Sequence, residues 1–127
     1  MLNSHGKSPR VLLVEDAPFL RYAFGRLLRL HGFDVCEVND GREALDCIAD
    51  FHPQLILTDL MMPVMNGFEL IRALRADPRT ANLPVVAFTA DPTEHVEREA
   101  RQAGAVDYFT KPVDLASFVK RLRVLGT

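Results

Sequence analysis

Residues 55–67 read LILTDLMMPVMNG, and this stretch decides how the rest of the chain is arranged. Its apolar run ends at a single carboxylate, Asp59, as is typical of a buried strand that emerges at the edge of a sheet. Asn66 followed by Glu69 has the spacing of a capping box, so we predict that a helix begins near Gly67. Asp59 is therefore expected between a strand and a helix, where open α/β sheets carry their functional residues.

Length and composition indicate one globular domain. The 127 residues are 48% hydrophobic and 25% charged, which suits a single domain with a real core. We expect a short tail over residues 1–9, a domain over residues 10–125 and no output domain. The net charge of -2 offers no bulk attraction for nucleic acid or an anionic membrane. No apolar run approaches the roughly 20 residues of a membrane span, and residues 1–10 lack a signal-peptide centre, so we expect a cytoplasmic location.

The two cysteines are predicted to be buried free thiols. Cys36 falls in a predicted strand and Cys47 in a predicted helix, and they lack CxxC spacing. This pattern favours packing residues over a disulfide or a metal site.

Five predicted strands alternate with five predicted helices. The other strands are expected at residues 10–16, 33–38, 84–89 and 106–110. Further helices are expected to begin at Pro18, Asp40, Thr93 and Asp114, and Asp40 with Glu43 is a second capping-box pattern. The helix over residues 93–103 has few apolar positions and should be weakly anchored. Such alternation predicts a parallel sheet with helices on both faces.

Polar residues stand where four of these strands end. They are Glu15, Asp16, Asp59, Thr89 and Lys111. The carboxyl ends of parallel strands share one edge of a sheet, so we expect these side chains to converge. Three converging carboxylates repel one another and require a cation, and oxygen ligands with room for water favour Mg²⁺. A carboxylate can also act as a nucleophile toward phosphorus, while a lysine and a hydroxyl hold the phosphoryl oxygens.

Each of these residues also has a simpler interpretation. Asp16 could cap the first helix, Asp59 could stabilise a turn, and Thr89 could merely end a strand. Lys111 alone would most often be a surface residue. The methionines of the turn suit packing better than binding of a hard cation. The placement of all five polar residues at the same end of successive strands favours a shared site.

Four motifs follow one another along the chain: Val14-Glu15-Asp16, Asp59-Leu60-Met61-Met62-Pro63-Val64-Met65-Asn66-Gly67, Phe88-Thr89-Ala90 and Tyr108-Phe109-Thr110-Lys111-Pro112. Together they resemble the receiver domain of response regulators in two-component signalling, over residues 10–125. The resemblance implies one flavodoxin-like (βα)5 domain with a five-stranded parallel sheet in the order 2-1-3-4-5. The chain departs from the common pattern at Asn66, where the family often has aspartate.

The resemblance also implies a role for each site residue. Asp59 would be the phosphoacceptor, and Asp16 and Asp59 would bind Mg²⁺ directly. Glu15 would act through a metal-bound water, and Met61 would contribute its backbone carbonyl.

The remaining roles concern the phosphoryl group and the response to it. Thr89 and Lys111 would hold phosphoryl oxygens, and the Lys111–Pro112 peptide would be cis. Tyr108 would turn inward as Thr89 moves toward the phosphoryl group. Asp91, two residues after Thr89, is a position at which the family tunes the lifetime of the acyl phosphate.

The function implied is that of a phosphoacceptor switch and not of an enzyme. The phosphoryl donor would be a phosphohistidine on a sensor histidine kinase or a phosphotransfer protein. Output would be a protein contact through the fourth helix, fifth strand and fifth helix, with no nucleic acid or membrane partner.

Other functions fit this sequence less well. A phosphatase with an aspartyl nucleophile would carry an acid where Met61 stands, and a flavodoxin-like cofactor carrier would want a glycine-rich loop in place of acidic residues 15–18. A receiver-like module that binds partners without phosphorylation is disfavoured by the complete acid, threonine and lysine set. A receiver fragment of a hybrid histidine kinase stays open.

Overall fold

The computed structural model describes residues 8–91 and 93–126 and shows the expected alternation of strands and helices. The strands are β1 Arg10–Val14, β2 Asp34–Val38, β3 Leu55–Asp59, β4 Val85–Thr89 and β5 Asp107–Thr110. The helices are α1 Pro18–Leu30, α2 Gly41–Phe51, α3 Gly67–Ala76, α4 Glu94–Ala103 and α5 Leu115–Leu125. Among the described residues no helix is long and apolar enough to cross a bilayer.

The sheet is parallel throughout, in the order β2-β1-β3-β4-β5. This confirms the flavodoxin-like fold and the strand order 2-1-3-4-5, with β2 at one edge of the sheet. β1 lies between β2 and β3, so Leu12 pairs with Cys36 on one side and with Ile56 on the other. Successive strands are added toward one edge of the sheet up to β2 and toward the other edge from β3 onward. This change between β1 and β3 opens a crevice at their carboxyl ends.

Two helical layers cover the sheet. Side chains on successive strand residues point to opposite faces, so Leu12 and Ile56 pack under α2, α3 and α4, whereas Leu13 and Leu57 pack under α1 and α5. The second layer contains a tight aromatic contact, in which the rings of Phe24 and Phe88 lie 5.2 Å apart, edge to face. Both layers hold β3 rigidly, and β3 carries Asp59 at its end.

The helix starts agree with the capping patterns to different degrees. The Asn66–Glu69 box is complete, since each side chain accepts from the other residue's backbone N–H. The predicted box at Asp40 is only half correct. The Asp40 side chain accepts from Glu43 N, but the Glu43 carboxylate accepts from Asn39 N, one residue too early for a box.

Two smaller expectations need correction. Asp114 stands at the start of α5 but makes no side-chain bond to the helix backbone, because its carboxylate instead accepts from the Ser117 hydroxyl at 2.6 Å. Cys36 and Cys47 are free thiols, as predicted, yet both are half-buried and not fully buried. β2 is an edge strand, so Cys36 has a neighbouring strand on one side only.

Gly67 allows α3 to begin against the end of β3. A Cβ at this position would overlap the Asp59 carbonyl oxygen and lie 2.8 Å from Leu60 Cα. We expect Gly67→Ala to lower the free energy of unfolding by about 2 kcal/mol, because backbone must shift to relieve the overlap. Urea denaturation measures this. Gly126→Ala is the control, since its nearest contact would be the Leu122 carbonyl at 3.1 Å, and equal losses in both variants would contradict the prediction.

Candidate functional site

The structure brings the five polar residues of the sequence analysis together at the carboxyl edge of the sheet. Asp59 and Thr89 are the last residues of β3 and β4, while Glu15 and Lys111 directly follow β1 and β5. A cleft of about 390 Å³ opens beside them, and three of the five, Asp59, Thr89 and Lys111, line it together with Met61, Ala90 and Asp91. Because β1 and β3 are buried strands, Glu15 and Asp59 at their carboxyl ends are buried as well.

Three carboxylates form the base of the site. One oxygen from each of Glu15, Asp16 and Asp59 lies within 4.8 Å of the others. Glu15 is 1% exposed and Asp59 is 7% exposed, so water screens their charges poorly. Burial and the adjacent Glu15 carboxylate raise the pKa of Asp16 above its ordinary value.

Lys111 is the cation that contacts this cluster. Its Nζ lies 2.6 Å from Glu15 Oε1 and 3.3 Å from Asp59 Oδ2, and it sits 4.7 Å from the centre of the Phe88 ring. One lysine against three carboxylates leaves an excess of negative charge. All-oxygen donors with excess negative charge fit a hard divalent cation such as Mg²⁺.

The two oxygens of Asp59 have different surroundings. Oδ1 accepts from Leu60 N at 2.7 Å, which fixes the orientation of the carboxylate. Oδ2 faces Lys111 across the cleft and is the oxygen available for chemistry. Met61 is 64% exposed and lines the cleft, and its backbone N lies 3.4 Å from Asp59 Oδ1.

Thr89 lies opposite Asp59 in the cleft and is 1% exposed. Its hydroxyl accepts from Asp91 N at 3.3 Å, and its carbonyl accepts from Lys111 N at 2.7 Å. The Lys111–Pro112 peptide is cis. The backbone at the end of β4 is thus bonded directly to the segment that carries the lysine.

Tyr108 connects β5 to the segment that precedes α4. The ring is half-buried, and its hydroxyl donates to the Asp91 carbonyl at 2.7 Å. The Asp91 side chain in turn accepts from Thr93 N at 2.9 Å, which lowers the pKa of Asp91. This local turn is not among the features predicted from the sequence, although an Asp two residues before the N-cap of a helix is a known signal for it.

Asp107 is a second residue that sequence reasoning missed. Its carboxylate accepts from Arg121 Nε of α5 at 2.6 Å and lies 3.5 Å from Arg101 of α4. It therefore links the two helices across β5. No sequence pattern signals such a bridge, because its partners lie on different helices.

The alkaline titration of Tyr108 should report its environment. Burial, followed by the charges of Asp91 and Glu97, raises the pKa of Tyr108 above its ordinary 10.0. Tyr22→Phe leaves Tyr108 as the sole tyrosine, and its tyrosinate absorbance should rise with a midpoint above 10.0. Folding favours the protonated phenol, so its contribution to stability is complete below 10.0 and is lost as pH rises through the raised pKa. The midpoint should fall in urea, and equal midpoints in folded and unfolded protein would contradict the prediction.

Comparison with known proteins identifies relatives along nearly the whole chain. The family model for the response regulator receiver domain matches residues 11–123. The DNA-binding response regulator MtrA of Mycolicibacterium smegmatis is 39% identical over 90% of this chain and 49% of its own length. Protein PilH of Pseudomonas aeruginosa is 32% identical over 91% of this chain and 96% of its own length.

Solved structures agree with these relatives. Chemotaxis protein CheY4 of Vibrio cholerae superposes with a TM-score of 0.86 at 29% identity, covering 93% of this chain and 98% of that one. The present chain thus spans nearly all of PilH and CheY4, but about half the length of DNA-binding relatives such as MtrA.

Proposed function

The chain belongs to the response regulator receiver domain family, whose members are signalling switches of two-component systems, and from this we propose that it carries a phosphoryl group on Asp59. The donor would be a phosphohistidine on a sensor histidine kinase or a phosphotransfer protein. The observation that carries the proposal is the buried Asp59 carboxylate, whose Oδ1 accepts from Leu60 N and whose Oδ2 contacts Lys111 in the cleft that Thr89 also lines.

The transfer is a displacement at phosphorus. Asp59 Oδ2 attacks the phosphorus atom, the bond from phosphorus to the histidine nitrogen breaks, and the imidazole leaves with the bonding pair. Lys111 Nζ and the Thr89 hydroxyl are placed to hold phosphoryl oxygens by charge and hydrogen bonding. Leu60 N keeps the Asp59 carboxylate oriented during the attack.

The acid cluster would hold Mg²⁺, which supplies positive charge against the negative phosphoryl oxygens. Asp16 and Asp59 would bind it directly, Glu15 through a water, and Met61 through its backbone carbonyl. The fit rests on three carboxylate oxygens within 4.8 Å of one another, of which Lys111 contacts those of Glu15 and Asp59.

The signal would leave the site through Thr89 and Tyr108. An aspartyl phosphate adds about one to two negative charges beside Thr89, which would draw its hydroxyl toward the phosphoryl group. Thr89 is bonded to Asp91 N, and the Asp91 carbonyl holds Tyr108, so a shift of Thr89 reaches β5 and the start of α4. Ala100 is the only residue of α4 counted as buried, which makes this helix the element that can move at least cost.

Output would then be a protein contact on the surface of α4, β5 and α5, which Asp107 bridges with Arg101 and Arg121. Phosphotransfer from a sensor kinase would place the protein in the cytoplasm.

Incubation of the wild type with acetyl phosphate tests the proposal. Intact mass should show one added phosphoryl group when Mg²⁺ is present and none when it is chelated, and mild alkali should release the group, because an acyl phosphate is labile to hydroxide. An adduct that forms without Mg²⁺, or that survives alkali, would contradict the proposal.

A further inference from the structure

The two cysteines of the chain form a contact that the receiver site does not use. Cys36 Sγ on β2 and Cys47 Sγ on α2 lie 3.8 Å apart, and both are free. Both are half-buried, so a small solute can reach the pair from solvent. They are separated by eleven positions in sequence, and it is the packing of α2 on the edge strand that brings them together.

The contact is close to what a disulfide requires. A disulfide bond is about 2 Å long, so the two sulfur atoms must move closer together by a little less than about 2 Å. Cys36 lies on the edge strand β2, and Cys47 lies on α2. Both are partly buried residues at the margin of the hydrophobic core, where side chains have room to adjust. Among the described residues, Glu15, Asp16 and Asp59 are the only group of three or more suited to a metal, so the cysteine pair has no further ligands that would make it a metal site.

We propose that Cys36 and Cys47 are a modification site at which a peroxide closes an intramolecular disulfide between β2 and α2. Oxidation would proceed in two balanced steps. One thiol gives up two electrons to the peroxide O–O bond and becomes a sulfenic acid, with release of water. The second thiol then attacks that sulfur, an S–S bond forms, and the hydroxyl leaves as a second water with the remaining thiol proton.

The surroundings of Cys47 affect its ionisation. Burial, followed by the neighbouring Cys36, raises the pKa of Cys47 to about 12, so Cys47 stays protonated near neutral pH. A thiolate is the form that attacks a peroxide, so this raised pKa slows the attack by Cys47.

The test treats reduced, purified wild type with hydrogen peroxide in the presence of a chelator, and then with an alkylating reagent. The expected product is a monomer that has lost two hydrogens, takes up no alkyl group and recovers both thiols with dithiothreitol. Cys36→Ser and Cys47→Ser are the matched variants. Each variant keeps one cysteine without a second thiol beside it, so it should accumulate a sulfenic acid that a dimedone probe captures and should form no intramolecular disulfide.

The melting temperature is a second, independent test of the disulfide. The disulfide closes a short loop, so the oxidised wild type should melt roughly 5–10 °C above the reduced form, and neither serine variant should show this rise. Stepwise oxidation of each cysteine to sulfinic acid without an S–S bond, dimers joined between chains, or a lower melting temperature of the oxidised monomer would each overturn the proposal.

Discussion

Asp59→Asn should abolish phosphoryl incorporation from acetyl phosphate while leaving the fold intact. The amide has nearly the shape of the carboxylate, and its oxygen can still accept from Leu60 N. It lacks the anionic nucleophile, and a neutral amide oxygen is too weak a nucleophile to replace it. The variant also removes one of the three clustered negative charges, so its free energy of unfolding without Mg²⁺ should not fall.

Asp91→Asn is the matched control, because Asp91 lines the same cleft but its carboxylate is engaged by Thr93 N. This control should still show the adduct by intact mass, although its lifetime can differ. Incorporation that persists in Asp59→Asn would remove Asp59 as the acceptor.

Lys111→Met should destabilise the protein by about 3 kcal/mol and sharply slow phosphorylation. Methionine preserves most of the apolar stem but removes the charge that faces Glu15 Oε1 at 2.6 Å and Asp59 Oδ2 at 3.3 Å. Glu15 is 1% exposed, and a buried carboxylate that loses the cation in contact with it is destabilising. Phosphorylation should slow because the phosphoryl oxygens lose the same positive charge.

Urea denaturation with and without millimolar Mg²⁺ measures the first effect. The loss should shrink when Mg²⁺ is added, since a cation bound among the same carboxylates replaces part of the missing charge. Lys120→Met is the control, because Lys120 is exposed on α5 and should change stability by less than about 0.5 kcal/mol. Equal effects of the two substitutions, or a loss in Lys111→Met that Mg²⁺ leaves unchanged, would count against this account of the cluster.

The sequence by itself determined the order and type of every element. Apolar runs that end at polar residues predicted the five strands, and 3.6-residue periodicity predicted the helices between them, because burial acts on each segment separately. The complete cap at Asn66 and Glu69 was also predictable, since both bonds form within four residues. The same local rule misjudged Asp40, where Asn39 N competes for the Glu43 carboxylate.

Only the tertiary structure decided the distances between residues far apart in the chain. Lys111 and Glu15 are separated by 96 positions, and their 2.6 Å contact depends on how β1 and β5 are placed across the sheet. The contact of Cys36 with Cys47 and the bridge from Asp107 to Arg121 arise in the same way, from a helix packing on a strand. A local sequence pattern indicates which side chains are buried. The packing of whole helices and strands determines which of those side chains are in contact. The sequence therefore placed the polar residues at one edge of the sheet, and the packing of the sheet and helices determined which of them touch.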